Sequence, residues 1–97
     1  MNVLFLPQAA QEFEEAVLYL EEQESGLGIR FRNEVDTTIH WISNNPTLPR
    51  LREGVYRRVN LSIFRYYIAY LVKSDTIWVL AISHGHREPE YWINRSS

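Results

Sequence analysis

The residues of this chain with the most chemistry to offer lie together near its end, in His84-Gly85-His86-Arg87-Glu88-Pro89-Glu90-Tyr91-Trp92. Imidazoles exchange protons near neutral pH, and a guanidinium is a permanent cation shaped for phosphate or carboxylate. A phenol and an indole add a hydrogen-bonding tip and flat surfaces on which a base can stack. Together these groups suit acid–base work or recognition of an anionic partner. His84 and His86, two apart, share a side of an extended loop, but no third ligand is evident, so no metal site is read. Ser83 beside His84 is no nucleophile–base pair, because neighbours on a strand point to opposite faces. The chain has no cysteine, which removes disulfides, thiol catalysis and Cys-ligated zinc and fits a reducing compartment. No cofactor motif is read.

This loop needs a rigid support. Thr76-Ile77-Trp78-Val79-Leu80-Ala81-Ile82-Ser83 is an almost unbroken apolar run, rich in β-branched and aromatic residues. It lacks strict alternation and is short for a helix, which predicts a central strand buried on both faces.

The remaining elements follow from spacing. Asn2-Val3-Leu4-Phe5-Leu6 reads as a first strand stopped by Pro7. Ala9, Ala10, Phe13, Ala16, Val17 and Leu20 fall at helical spacing over 8–23, and Glu12, Glu15 and Glu22 are expected on the solvated side. Gly26 and Gly28 make a tight turn. Phe31, Val35, Thr38, Ile39 and Ile42 mark a second helix over 27–43, ended by Asn45-Pro46. Residues 47–54 read as a loop carrying Arg50 and Arg52. A strand over 55–61 places Val55, Arg57, Val59 and Leu61 on one face and Tyr56, Arg58 and Asn60 on the other. Arg57, among apolar neighbours, therefore caps the sheet edge or needs a partner. A third strand over 64–73 places Phe64, Tyr66, Ile68, Tyr70 and Val72 opposite Arg65, Tyr67, Ala69, Leu71 and Lys73. Ser74-Asp75 turns it into the central strand. The expected fold is α+β, in the order β-α-α-β-β-β, with a helical hairpin on a mostly antiparallel four-stranded sheet.

With 97 residues the chain reads as one domain. No apolar run approaches the ~18 residues of a membrane span, and the N-terminus lacks the basic region of a secretion signal. A cytoplasmic location is expected. The net charge of −2 hides an asymmetry. Residues 1–49 hold two arginines against eight carboxylates, whereas residues 50–97 hold eight cations against four carboxylates. The C-terminal half is the one suited to nucleic acid or an acidic partner, with Arg50, Arg52, Arg57, Arg58 and Arg65 as candidate contacts.

In this order the motifs resemble the RelE/ParE superfamily of type II toxin–antitoxin toxins. The residues that carry the likeness are Ala9 and Glu12, Gly26-Leu27-Gly28, Arg30-Phe31, Asn45-Pro46, Tyr56-Arg57-Arg58, Phe64 with Tyr66, Ile68 and Tyr70, and Val79 through Trp92. The ending, with His84, Arg87, Pro89 and Trp92, is most similar to the ParE-type or plasmid-stabilisation branch. The resemblance implies one of two targets. RelE-like members cut messenger RNA on the ribosome, and ParE-like members inhibit DNA gyrase without catalysis. Both are neutralised by a wrapping antitoxin, so an antitoxin partner and a homodimer or hetero-oligomer are expected. On the ribonuclease pattern Arg87 matches an arginine, Tyr91 the C-terminal tyrosine and His84 a position where lysine is common. The arginine usual on the third strand is Tyr67 here. That departure favours the ParE-like reading, with an RNA endonuclease using Arg87, Tyr91 and His84 as its alternative. A non-toxic binding module that keeps the fold is the third reading.

Overall fold

The computed structural model describes residues 1–96. It shows strand β1 (Asn2–Phe5), helices α1 (Pro7–Gln23) and α2 (Leu27–Asn44), strands β2 (Arg57–Asn60), β3 (Tyr66–Lys73) and β4 (Thr76–His84), and a terminal 3₁₀ turn (Ile93–Ser96). Pro7 opens α1 in its first turn, where a missing N–H costs nothing, and Leu6 before it is extended. Gly26 takes a φ of 92° before α2. The carboxylate of Glu21 accepts from the backbone N–H groups of Gly26, at 2.9 Å, and Gly28, at 3.0 Å. An acid on α1 thus caps the free donors at the start of α2.

Gly28 is where the two helices meet most closely: a Cβ there would lie 2.7 Å from the Val17 carbonyl oxygen. A backbone oxygen inside a helix cannot step aside. Gly28→Ala is therefore expected to destabilise the fold by about 2 kcal/mol, against the helix propensity that alanine would add. Thermal denaturation followed by circular dichroism measures it, as a Tm lowered by roughly 10 °C for a domain of this size.

The sheet order is β1-β4-β3-β2, with β1 parallel to β4 and the other pairs antiparallel. β4 is central and largely buried, as expected. β2 and β3 are shorter at their starts than the alternation suggests. Residues 62–65 bend rather than pair, and Tyr56 forms an isolated bridge with Arg52. The face assignments hold. Ile68 and Tyr70, with Val59, Phe64, Tyr66 and Val72, join Ala9, Ala16, Phe31, Val35 and Ile42 in the core beneath the helices. Tyr56, Tyr67, Ala69, Leu80, Ala81 and Trp92 form a second core on the other face.

A bulge explains why β4 does not alternate. Tyr70 pairs with Val79 and Ala69 with Ala81, so Leu80 is an extra residue. Ile77 and Val79 face the helices, Leu80 and Ala81 face away, and Ile82 returns to the helices. The same phase shift delivers the His84 ring to Tyr66 on the helix side, at 5.0 Å between centroids.

Candidate functional site

β1 pairs with β4 only as far as Phe5 and Val79. Beyond that point the outer edge of β4 would show bare backbone groups. Side chains cover it instead. The Ile82 N–H donates to Glu12 Oε1 at 3.2 Å, and Arg95 Nη1 donates to the Leu80 carbonyl at 3.0 Å. Arg95 also grips the Glu12 carboxylate through both terminal nitrogens, at 3.0 and 3.1 Å, and the Tyr91 hydroxyl donates to Glu12 Oε2. Glu12 is thus not part of the solvated acidic face. Its side chain is only 14% exposed, while Glu15 and Glu22 lie in water as expected. The signal was present in the spacing, since Glu12 stands three residues after Ala9 and four before Ala16, both buried.

Tyr91 is consequently engaged twice. Its hydroxyl is committed to Glu12, and the Arg87 guanidinium lies 4.1 Å over its ring. Burial, then the bond to Glu12, raises the phenol above its ordinary value of 10. A phenol so held stays protonated at neutral pH and is a poor base. His84 accepts the N–H of His86 on Nδ1 at 3.1 Å. Burial lowers its pKa from the ordinary 6.5, and the neighbouring His86 and Arg65 lower it further. The neutral ring has one nitrogen occupied and is poorly placed to donate a proton. Arg87, His84, Glu12, Glu15, Tyr19 and Tyr66 line a shallow cleft of about 200 Å³. The three residues matched to the ribonuclease pattern therefore do lie near one another, but two of them are held by internal bonds.

The five candidate arginines divide. Arg57 shares the helix-side face with Tyr70, its cross-strand partner, and donates to the Pro49 carbonyl at 2.8 Å. It caps the edge of the sheet. Arg50 is exposed on the loop, and Arg52 bridges to Tyr56. Arg58 and Arg65 line a larger cleft of about 470 Å³ together with Tyr67 and His86, whose ring stacks on His84 with centroids 5.0 Å apart. Among the described residues no group of three His, Cys, Asp or Glu side chains is placed to hold a metal ion.

Tyr67 itself is buried. Its hydroxyl accepts the Trp92 indole N–H at 2.8 Å, and the Arg58 guanidinium covers its ring at 3.8 Å. Tyr56 packs edge-on against Trp92, with centroids 4.5 Å apart, and donates to Glu90. Burial, then Glu90, pushes the Tyr56 phenol up to about 12. Trp92 and Tyr91 thus both fasten the tail on the face away from the helices, Trp92 over Tyr67 of β3 and Tyr91 at the outer edge of β4, where sequence spacing suggested only packing on the sheet.

Residues 3–89 match the family model described as the ParE toxin of the type II toxin–antitoxin system parDE. Among solved structures the chain is similar to one of the "Chromosomal ParDE TA system from P. aeruginosa", at 16% identity and a TM-score of 0.64 over 87% of this chain and 95% of that one. At that identity the likeness is one of fold. No curated protein matches. No helix among the described residues is long and apolar enough to cross a membrane. With nearly its whole length matched and the helical hairpin, sheet and tail in the expected order, this chain belongs to the ParE toxin family of type II toxin–antitoxin systems.

Proposed function

We propose that this toxin arrests growth by inhibiting DNA gyrase rather than by cutting RNA, that it acts in the cytoplasm, and that a cognate antitoxin neutralises it by wrapping the chain. The observation that carries the reading is the state of Tyr67. Where the ribonuclease branch places a free cation against the developing phosphate charge, this chain has a buried phenol bonded to Trp92 and covered by Arg58. Transesterification needs that charge stabilised and a base and an acid left free. The bond from Tyr91 to Glu12 and the lowered pKa of His84 weigh the same way. The antitoxin reading rests on family membership. It is supported by the exposed apolar side chains Leu18, Tyr19 and Ile29, beside an acidic helical surface that offers a wrapping peptide both kinds of contact.

One observation favours a ribosome-dependent ribonuclease as the second reading: Arg87 and His84 share a cleft, with Tyr91 against Arg87. Two labels separate the readings. After induction without antitoxin, thymidine incorporation is expected to fall before amino-acid incorporation. Arg87→Ala combined with Tyr91→Phe is expected to leave the arrest intact. A ribonuclease would lose about 10²-fold or more of its activity with those groups and would stop amino-acid incorporation first. A non-toxic module would change neither label.

A further inference from the structure

The larger cleft is built like a site for a chain of negative charges. Its cations are Arg58, on β2, and Arg65, just before β3. His86 joins them from the turn after β4, and among the described residues no carboxylate lines the cleft. Arg65 Nη1 donates to His86 Nε2 at 3.5 Å, which orients the guanidinium and leaves its other N–H groups to donate outward. The nearby acid is already committed, because Glu34 accepts the backbone N–H groups of Ser62 and Ile63 from the helix side. Arg58 is held in place by the Tyr67 ring and by a bond of 3.0 Å to Asn60 Oδ1. This fixes its plane while leaving other N–H groups to donate. Two guanidinium charges in a concave, preorganised setting, with no carboxylate among the described lining residues, attract an anion from outside.

The spacing of the cations indicates what kind. Arg58 pairs with Ala69, and Arg65 lies four residues before Ala69 in the chain, next to the start of β3. At ~3.3 Å per residue their backbones are offset by roughly 13 Å. A single carboxylate would engage one end, whereas successive backbone phosphates can engage both. We propose that the Arg58–Arg65–His86 cleft binds the phosphate backbone of a nucleic-acid strand. Such binding would be a property of the toxin itself, independent of whether gyrase is its target.

Fluorescence anisotropy with the purified chain and a short labelled oligothymidine tests this. Two phosphate contacts give a slope of log K against log salt of about −1.4, or about a sevenfold loss of affinity between roughly 50 and 200 mM salt. Arg58→Gln and Arg65→Gln are each expected to halve that slope, to about a threefold loss. Arg50→Gln, on the loop outside the cleft, leaves it unchanged. Arg58 also packs on Tyr67, so the Arg65 variant carries the test should the other fail to fold. Absence of binding at the lower salt, a slope unmoved by Arg65→Gln, or equal or tighter binding of a labelled polyglutamate peptide would each overturn the proposal. The last result would make the cleft a site for an acidic protein segment instead.

Discussion

Trp92→Ala is expected to destabilise this protein by about 4 kcal/mol, a large part of the ~5–15 kcal/mol that holds a domain of this kind together. Trp92 is fully buried although it lies only five residues from the end of the chain. Its ring is the centre of the core on the sheet face away from the helices, against Tyr56 at 4.5 Å and Tyr67 at 6.4 Å. Truncation to alanine removes the largest side chain of that core, and the tail cannot collapse into the void without drawing Tyr91 and Arg95 off β4. It also leaves the Tyr67 hydroxyl without its indole donor. Trp92→Phe separates these effects. It keeps a ring between Tyr56 and the sheet and loses chiefly the hydrogen bond, for about 1–2 kcal/mol. Urea denaturation of the two variants measures both, with the alanine variant's midpoint falling well below that of the phenylalanine variant. Equal and small losses in the two would show that the second core adds little and that the helix-side core suffices.

That second core was half legible in the sequence. The alternation of β3 placed Tyr67, Ala69 and Leu71 together, away from Ile68 and Tyr70, and a two-residue period is robust because a slip of one residue would turn the whole set over. The helices were legible from the 3.6-residue spacing of their apolar side chains, with Pro7, Gly26 and Asn45-Pro46 marking their limits. Three features were not. The pairing of β1 with β4 joins residues more than seventy positions apart, and nothing local encodes a partner at that distance. The bulge at Leu80 looks like continuous apolar sequence, since both faces of β4 are buried. The charged residues were the hardest, because a carboxylate in a helix next to other carboxylates reads as solvated. The spacing of Glu12 from Ala9 and Ala16 sets it apart from Glu15, but the bare strand edge it meets is visible only in three dimensions. The arginines of β2 were more legible: alternation put Arg57 and Arg58 on opposite faces, and one caps a loop carbonyl while the other covers Tyr67, though neither partner could be named from the sequence.

Glu12→Ala is expected to cost about 3 kcal/mol, although by composition it removes one acid from an acidic helix. Isolated surface ion pairs are worth little, and Glu14 with Arg32 on the exposed side of the helices is one of these. Glu12 differs in its burial and in its partners. It and Arg95 are 14% and 19% exposed, and its carboxylate also receives the Tyr91 hydroxyl and the Ile82 N–H. Deleting it strips the phenol and the Ile82 N–H of their acceptor and leaves the guanidinium only the Leu80 carbonyl, and the penalty of unpaired buried donors exceeds the net worth of the bonds themselves. Glu12→Gln fills the same space but sets an amide against Arg95, so it is expected to lose about 2 kcal/mol. Glu15→Ala, one turn along and in water, should stay within about 0.5 kcal/mol of the wild type. A double-mutant cycle with Arg95→Ala then tests whether the groups act as one unit. Once Glu12 is gone, Arg95 has lost its counter-charge, and removing it as well should cost little more, giving a coupling of about 1–3 kcal/mol. Additive losses would mean that Arg95 draws its worth from the Leu80 carbonyl alone, and that the tail is held by Trp92 rather than by a clasp closed across the open edge of β4.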